Sequence, residues 1–336
     1  MVLIWLEFIA VSAVIVYFGY RLSKYGDVIA ERTGLGRVWV GTILLATVTS
    51  LPELFAGLSA SAIVKDANIA IGNSIGSSAF NVAIVSVADL VSGPGAILVA
   101  GMAGVEVLAG FSIVLITLAS ASLVLAQFIS LPAFAGIGIY TPAIFIIYLL
   151  GAREAFLYER KTLPRDVEEI AKEYRYEHIQ LRTAVMQYIL SAVVVIGAAL
   201  LLPTIGEQIA IRTGLGTTFI GAVFIAFTTS LPEVVVSIAA VRIGATELAL
   251  SNLFGSNMFN IAIVGFDDIF FRQGPILGAA SASNAVTGLF AILMTALVIA
   301  GLNYPYKRGS RTRLSWETAT ILALFIISTV TIFYIT

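Results

Sequence analysis

The chain contains no cysteine and a single histidine, His178. Without thiols there is no disulfide framework, no thiolate metal site and no cysteine nucleophile. One histidine cannot build an imidazole metal centre or a histidine-based catalytic cluster. Charge is also scarce: 12% of the 336 residues are Asp, Glu, Lys or Arg, about half the roughly 25% of a soluble domain. The 19 basic and 20 acidic residues nearly cancel, so no basic surplus points to a nucleic acid, and nothing marks an obligatory protein partner. Hydrocarbon fills the gap, at 59% hydrophobic residues and a mean hydropathy of +1.00. The solvent of this chain is a lipid bilayer.

Roughly 20 apolar residues cross the hydrocarbon core once. Ten stretches qualify: 2–22, 39–64, 69–92, 101–127, 131–151, 184–204, 217–241, 246–266, 279–302 and 316–335. The first lacks a basic lead and a small-residue cleavage pattern, so it reads as a retained helix and not a secretory signal. With the N-terminus outside, 16 basic residues fall in inside loops and only Lys65, Arg212 and Arg272 outside. The positive-inside rule then puts both termini outside and the 152–183 loop in the cytoplasm. That loop holds seven basic and seven acidic residues between Arg153 and Arg182 and reads as a solvated linker.

The chain repeats itself. Arg32–Gly36 (Arg-Thr-Gly-Leu-Gly) recurs at Arg212–Gly216, and Thr49–Glu53 (Thr-Ser-Leu-Pro-Glu) recurs at Thr229–Glu233, both at an offset of 180. Gly76-Ser77 and Phe80-Asn81 recur as Gly255-Ser256 and Phe259-Asn260 at 179. Each copy has five spans, an odd number, so the second enters the membrane from the opposite side. The fold expected is all-α: ten transmembrane helices in two inverted five-helix repeats, with helices 2 and 7 broken, as in many secondary transporters. The division is an N-terminal repeat over 1–151 with its motif at 46–81, a linker over 152–183, and a C-terminal repeat over 184–336 with its motif at 226–260.

The repeated segments are polar and intramembrane. Pro52 and Pro232 supply no N–H and clash with the preceding turn, so each helix should break and leave unpaired carbonyls at 46–49 and 226–229. Such carbonyls cost several kcal/mol each in hydrocarbon unless protein or a cation covers them. Glu53 and Glu233 lie mid-span, where a carboxylate costs about 2.5 kcal/mol or more. No basic residue lies in the middle of any span, so a metal ion or a proton must be their partner. Asn73, Ser77 and Asn81, spaced by four, line one helix face; Asn252, Ser256 and Asn260 repeat that stripe. Gly72, Gly76 and Gly255 between them permit close helix approach. All these ligands are hard oxygens, which suits Ca²⁺ with its roughly 6–8 oxygen ligands and also Na⁺. Two ionised glutamates balance one divalent or two monovalent ions.

Thr-Ser-Leu-Pro-Glu, followed some twenty residues later by Asn-x-x-Gly-Ser and a further Asn, present twice, resembles the paired alpha repeats of the cation/Ca²⁺ exchanger superfamily. The nearest branch is the sodium/calcium exchanger membrane region of prokaryotic type. The resemblance implies a plasma-membrane antiporter, not an enzyme, that extrudes Ca²⁺ against Na⁺ entry by alternating access, with no cofactor. By motif position Glu53 and Glu233 resemble the main Ca²⁺ ligands, with the carbonyls of Thr49 and Thr229 beside them. Ala46, Ser50, Ser77, Ala226, Ser230 and Ser256 match sodium-site positions, and Asn81 and Asn260 the central polar pair. Val48 and Thr228 replace the family's usual Gly, which should alter packing at the breaks. Asn260 stands where an Asp is frequent, which lowers the site's charge and argues against K⁺ dependence. Proton coupling is the near alternative; a carboxylate-lined channel and an intramembrane aspartyl protease are distant ones. Asp89 and Asp268, related by 179, read as helix-end acids near water, and Glu7 and Glu106 as candidates for an access path.

Overall fold

The computed structural model describes residues 2–92, 97–98, 102–162, 176, 178–201, 204–205, 208–209, 212, 229–304 and 315–335. Its helices in chain order are α1 (Val2–Thr33), α2 (Arg37–Thr49), α3 (Leu51–Val64), α4 (Ala67–Ser92), α5 (Ala103–Leu125) and α6 (Tyr140–Thr162). The second half supplies α7 (Leu181–Ala199), α8 (Leu231–Arg242), α9 (Thr246–Phe270), α10 (Ile276–Ala279), α11 (Ser283–Asn303) and α12 (Trp316–Ile335). Among the described residues eight helices are long and apolar enough to cross a membrane, and α2 with α3 makes a ninth, bent by 44°. Of the span expected at 217–241, only the half from Thr229 onward is described.

Burial sorts these helices into layers. In the most apolar 18 residues of α9, 94% are buried, against 17% in α1 and in α12. A helix apolar all round is either a core helix or a lipid-facing one; α9 is the first kind and α1 the second. Helix α9 touches α2, α3, α4, α5, α6 and α8, so the second copy of the Asn/Ser stripe sits at the centre of the bundle. Two glycines let it get there. A Cβ at Gly255 would lie 2.8 Å from Thr42 Cα, and one at Gly41 2.7 Å from Ser251 Cβ. Either methyl would push α2 off α9. For Gly76 the residues that the repeat would place opposite, 222 and 226, lie outside the described ones.

One expected span moves. Residues 131–139 do not open a helix: Ala133–Phe134 (β1) pairs antiparallel with Ile137–Gly138 (β2). Ala135 and Gly136 take φ of 51° and 84°, the double left-handed turn that a two-residue hairpin requires. Pro132 cannot donate to a ladder or a helix, and its carbonyl accepts the Ile139 N–H at 3.0 Å. The helix therefore starts at Tyr140 and runs to Thr162, eleven residues beyond the end at 151 expected for that span.

The two helix-end aspartates are not near water. Asp268 is 1% exposed and Asp89 fully buried. Asp268, on α9, accepts from the Gly138 N–H and the Tyr140 hydroxyl at 2.7 Å, the Thr141 hydroxyl at 2.5 Å and the Ile276 N–H at 2.7 Å. Asp89, on α4, accepts from the Thr318 hydroxyl at 2.8 Å and the Ser315 N–H at 3.3 Å. Each is the third-span aspartate of one repeat and ties down the start of the fifth span of the other. Anionic acceptors at helix N-termini use the free N–H groups and the dipole there, so the ties are swapped between repeats and hold them together.

Asp268→Ala orphans four donors and should cost at least about 3 kcal/mol, at roughly 1–3 kcal/mol for each buried unsatisfied group. Asp89→Ala orphans two and should cost about half as much. Thermal melts of the purified variants check the order, which a larger loss at Asp89 would reverse.

Candidate functional site

The proline does not kink a continuous helix; it starts a new one. Pro52 and Pro232 each occupy the first turn of their helices, α3 and α8, where a missing N–H costs nothing. The break falls on the serine before. Ser50 has φ −93°, ψ 7° and Ser230 has φ −87°, ψ 8°, so the two copies leave helical geometry at the same residue in the same way. The unpaired carbonyls expected at 46–49 are fewer than that: Ala46 O accepts the Ser50 N–H at 3.0 Å, because the turn before the break still closes. Ala226, Thr228 and the carbonyls 226–228 lie outside the described residues.

This geometry puts Glu53 and Glu233 in the first turns of α3 and α8, where the positive helix end and free N–H groups favour a carboxylate. Both are 1% exposed. Their first oxygens are held crosswise: the Ser230 hydroxyl donates to Glu53 Oε1 at 3.1 Å, and the Ser50 hydroxyl to Glu233 Oε1 at 2.9 Å. Each break serine thus serves the glutamate of the other repeat. Ser230 Oγ also lies 3.4 Å from Ser77 Oγ. Among the described residues the second oxygens, Oε2 of both glutamates, have no hydrogen-bond partner, and neither do Asn81 Oδ1 and Asn260 Oδ1. The ion pairs found among the described residues, Arg37–Asp27 and Arg153–Glu154, involve neither glutamate.

The rest of the stripe divides by task. Thr49, buried, has its hydroxyl 3.4 Å from Asn252 Oδ1 and 3.5 Å from Ser256 Oγ. Asn252 donates to Ser237 Oγ at 3.1 Å. Asn73 is partly buried and donates to the Glu53 carbonyl at 3.2 Å, so it steadies the backbone of α3. Thr229 is fully buried beside Ser230. Val48 is partly buried and packs against the apolar cluster that contains Leu22, Leu45 and Tyr188. Glu7 is exposed on α1 and Glu106 half-buried in the first turn of α5.

Two buried residues escaped the reading of the sequence. Asn257 has both amide atoms unpartnered among the described residues, but it sits beside Ser256 and off the four-residue spacing. Asp267, fully buried on α9, has the apolar Ala88 as its repeat counterpart, so the search for matched pairs passed over it.

The sodium/calcium exchanger protein family matches residues 3–152 and 183–334. The chain is 25% identical to the uncharacterized membrane protein MJ0091 of Methanocaldococcus jannaschii, over 98% of each chain. It is 33% identical to the sodium/calcium exchanger MaX1 of Methanosarcina acetivorans over 125 residues, 36% of this chain and 33% of that one. In fold it is similar to the sodium-calcium exchanger NCX_Mj soaked with 10 mM Na⁺ and zero Ca²⁺, with a TM-score of 0.73 at 21% identity over 98% of this chain and 99% of that one.

If the two halves of the site are equivalent, Ser50→Ala and Ser230→Ala each remove one hydrogen bond to a carboxylate. Each should cost about 1.5–3 kcal/mol, and the two losses should match. Chemical or thermal unfolding of the two variants checks this, and a clear inequality would sink the equivalence.

Proposed function

The chain belongs to the sodium/calcium exchanger protein family, and from that premise we propose that it exchanges Ca²⁺ for Na⁺ across the plasma membrane at one site built on Glu53 and Glu233. It is a multi-pass membrane protein of two inverted repeats and a secondary transporter, not an enzyme. The observation that carries the ion reading is the pair of buried glutamates, each clamped at one oxygen by the other repeat's serine and open at the second. A buried carboxylate with no basic partner needs a cation or a proton. Among the described residues the oxygens open to a cation are Glu53 Oε2, Glu233 Oε2, Asn81 Oδ1 and Asn260 Oδ1; the Asn260 amide nitrogen is unpartnered as well. With backbone carbonyls and water they approach the coordination Ca²⁺ takes.

The exchange follows from charge. One Ca²⁺ between the glutamates neutralises both; its departure exposes two negative charges to a low dielectric, which Na⁺ entering the serine and threonine positions at 49, 50, 77, 229, 230 and 256 relieves. Ala46 and Ala226 contribute at most carbonyl oxygen. A site that is never left empty alternates between ions, and an inverted repeat supplies the two openings. Ca²⁺ leaves toward the side where both termini lie, with the 152–183 segment in the cytoplasm.

The test is Ca²⁺ uptake into proteoliposomes loaded with Na⁺. Wild type should require the sodium gradient, and Glu53→Gln and Glu233→Gln should each lose at least about 10³-fold in rate, since each removes half the charge on the ion; a loss of about 4 kcal/mol corresponds to that factor. Uptake indifferent to sodium and driven by a pH gradient would replace the reading with proton coupling. Single-channel conductance far above transporter turnover would replace it with a channel.

A further inference from the structure

Asp267 lies on α9 seven residues beyond Asn260, about 10.5 Å along the axis at 1.5 Å per residue, and on the same side of the helix. It is fully buried. Its Oδ1 is 3.2 Å from the Ser61 hydroxyl, which is also 3.4 Å from the Leu58 carbonyl. Its Oδ2 has no hydrogen-bond partner among the described residues. The carboxyl is set into the seam between α3 and α9: a Cβ at Gly57 would lie 2.7 Å from Oδ2, and 3.1 Å from Ile263 Cγ2. Only glycine at 57 leaves room for it.

The pseudo-symmetric position is empty of such chemistry. The repeat replaces Asp267 by Ala88, Ser61 by Val241 and Gly57 by Ser237. The fold therefore needs no carboxyl here, since the opposite seam closes without one. On α9 itself Glu247 lies in the first turn, at the opposite end from Asp267, and Arg272, in the turn that follows α9, is exposed. Asp268 has four donors, one of them the Tyr140 hydroxyl of α6. Lys65 and Asp66, in the turn after α3, are exposed and half-exposed. On the other packed elements, Glu53 and Glu233 lie at the breaks, Asp89 is tied to Thr318 and Ser315, and Arg37 of α2 is paired with Asp27. Tyr148, Arg153 and Glu154 of α6, Glu106 of α5 and Arg242 of α8 lie further along, and none of these groups bonds to Asp267 among the described residues.

We propose that Asp267 is a proton-binding site, separate from the two-glutamate site, that seals the α3–α9 seam on one side of the membrane when its carboxyl is protonated. Three nearby oxygens, those of Asp267 and the Ser61 hydroxyl, are too few to strip Ca²⁺ of the six or more it requires. A proton needs only the one open lone pair on Oδ2. With the proton on, the group is neutral and the apolar seam closes over it; with the proton off, the bare charge must draw in water, and the seam parts. Because Ala88 cannot do the same, only one of the two access routes responds to pH.

The test is infrared difference spectroscopy of the lipid-reconstituted protein between acid and alkaline pH. It is run in a Glu53→Gln/Glu233→Gln background so that the central carboxyls contribute nothing. The readout is then independent of which ion is transported, and a failed exchange reading does not touch it. The site predicts a carbonyl-stretch band of a protonated acid in a dry setting that is lost when Asp267→Asn is added. Identical spectra with and without that substitution would overturn the proposal. Should Asp267→Asn not fold, Ser61→Ala serves: it removes the hydroxyl facing Oδ1 and should shift the pH midpoint of the band. An unmoved midpoint would count equally against the site.

Discussion

Two negative charges in hydrocarbon without a basic residue to answer them are the constraint around which this molecule is arranged. A carboxylate at the bilayer centre costs several kcal/mol unless something replaces its water. The chain spends three devices on each glutamate. It breaks the helix so that the glutamate sits in a first turn, facing free N–H groups and the positive end of the dipole. It brings a serine hydroxyl from the other repeat to one oxygen. Among the described residues it leaves the other oxygen without a hydrogen-bond partner. The Ser–Glu bonds run from one repeat to the other, so each glutamate is held by both halves of the chain.

The two repeats are also held together from outside the site. Asp89 and Asp268 each fasten the third span of one repeat to the fifth span of the other. Gly41 and Gly255 let α2 and α9 approach until backbone meets side chain. These contacts are exchanged between repeats in the same swapped sense as the Ser–Glu bonds.

Much of the candidate site was legible because duplication prints each residue twice. Glu53 with Glu233, Ser50 with Ser230, and the stripes 73–81 and 252–260 stand out as polar exceptions in apolar surroundings. What lay beyond reach depends on contacts between segments far apart in the chain. Apolarity alone could not tell that residues 133–138 form a hairpin, since two residues with positive φ decide it. A helix-end aspartate looks the same in sequence whether it meets water or four buried donors, and Asp268 meets the donors. Val48, expected to alter packing at the break, packs against an apolar cluster whose members come from distant parts of the chain. Asp267 was hidden by the very symmetry that revealed the rest, having no partner at 88.

The central claim is that both glutamates grip one ion at a time, so that Ca²⁺ and Na⁺ exclude each other. Calorimetric titration of the purified protein with Ca²⁺ over a series of Na⁺ concentrations tests it most directly. The account predicts one high-affinity Ca²⁺ per chain, with an apparent Kd that rises steadily as Na⁺ rises. An affinity for Ca²⁺ that does not change with Na⁺, or two equivalent Ca²⁺ ions per chain, would contradict it.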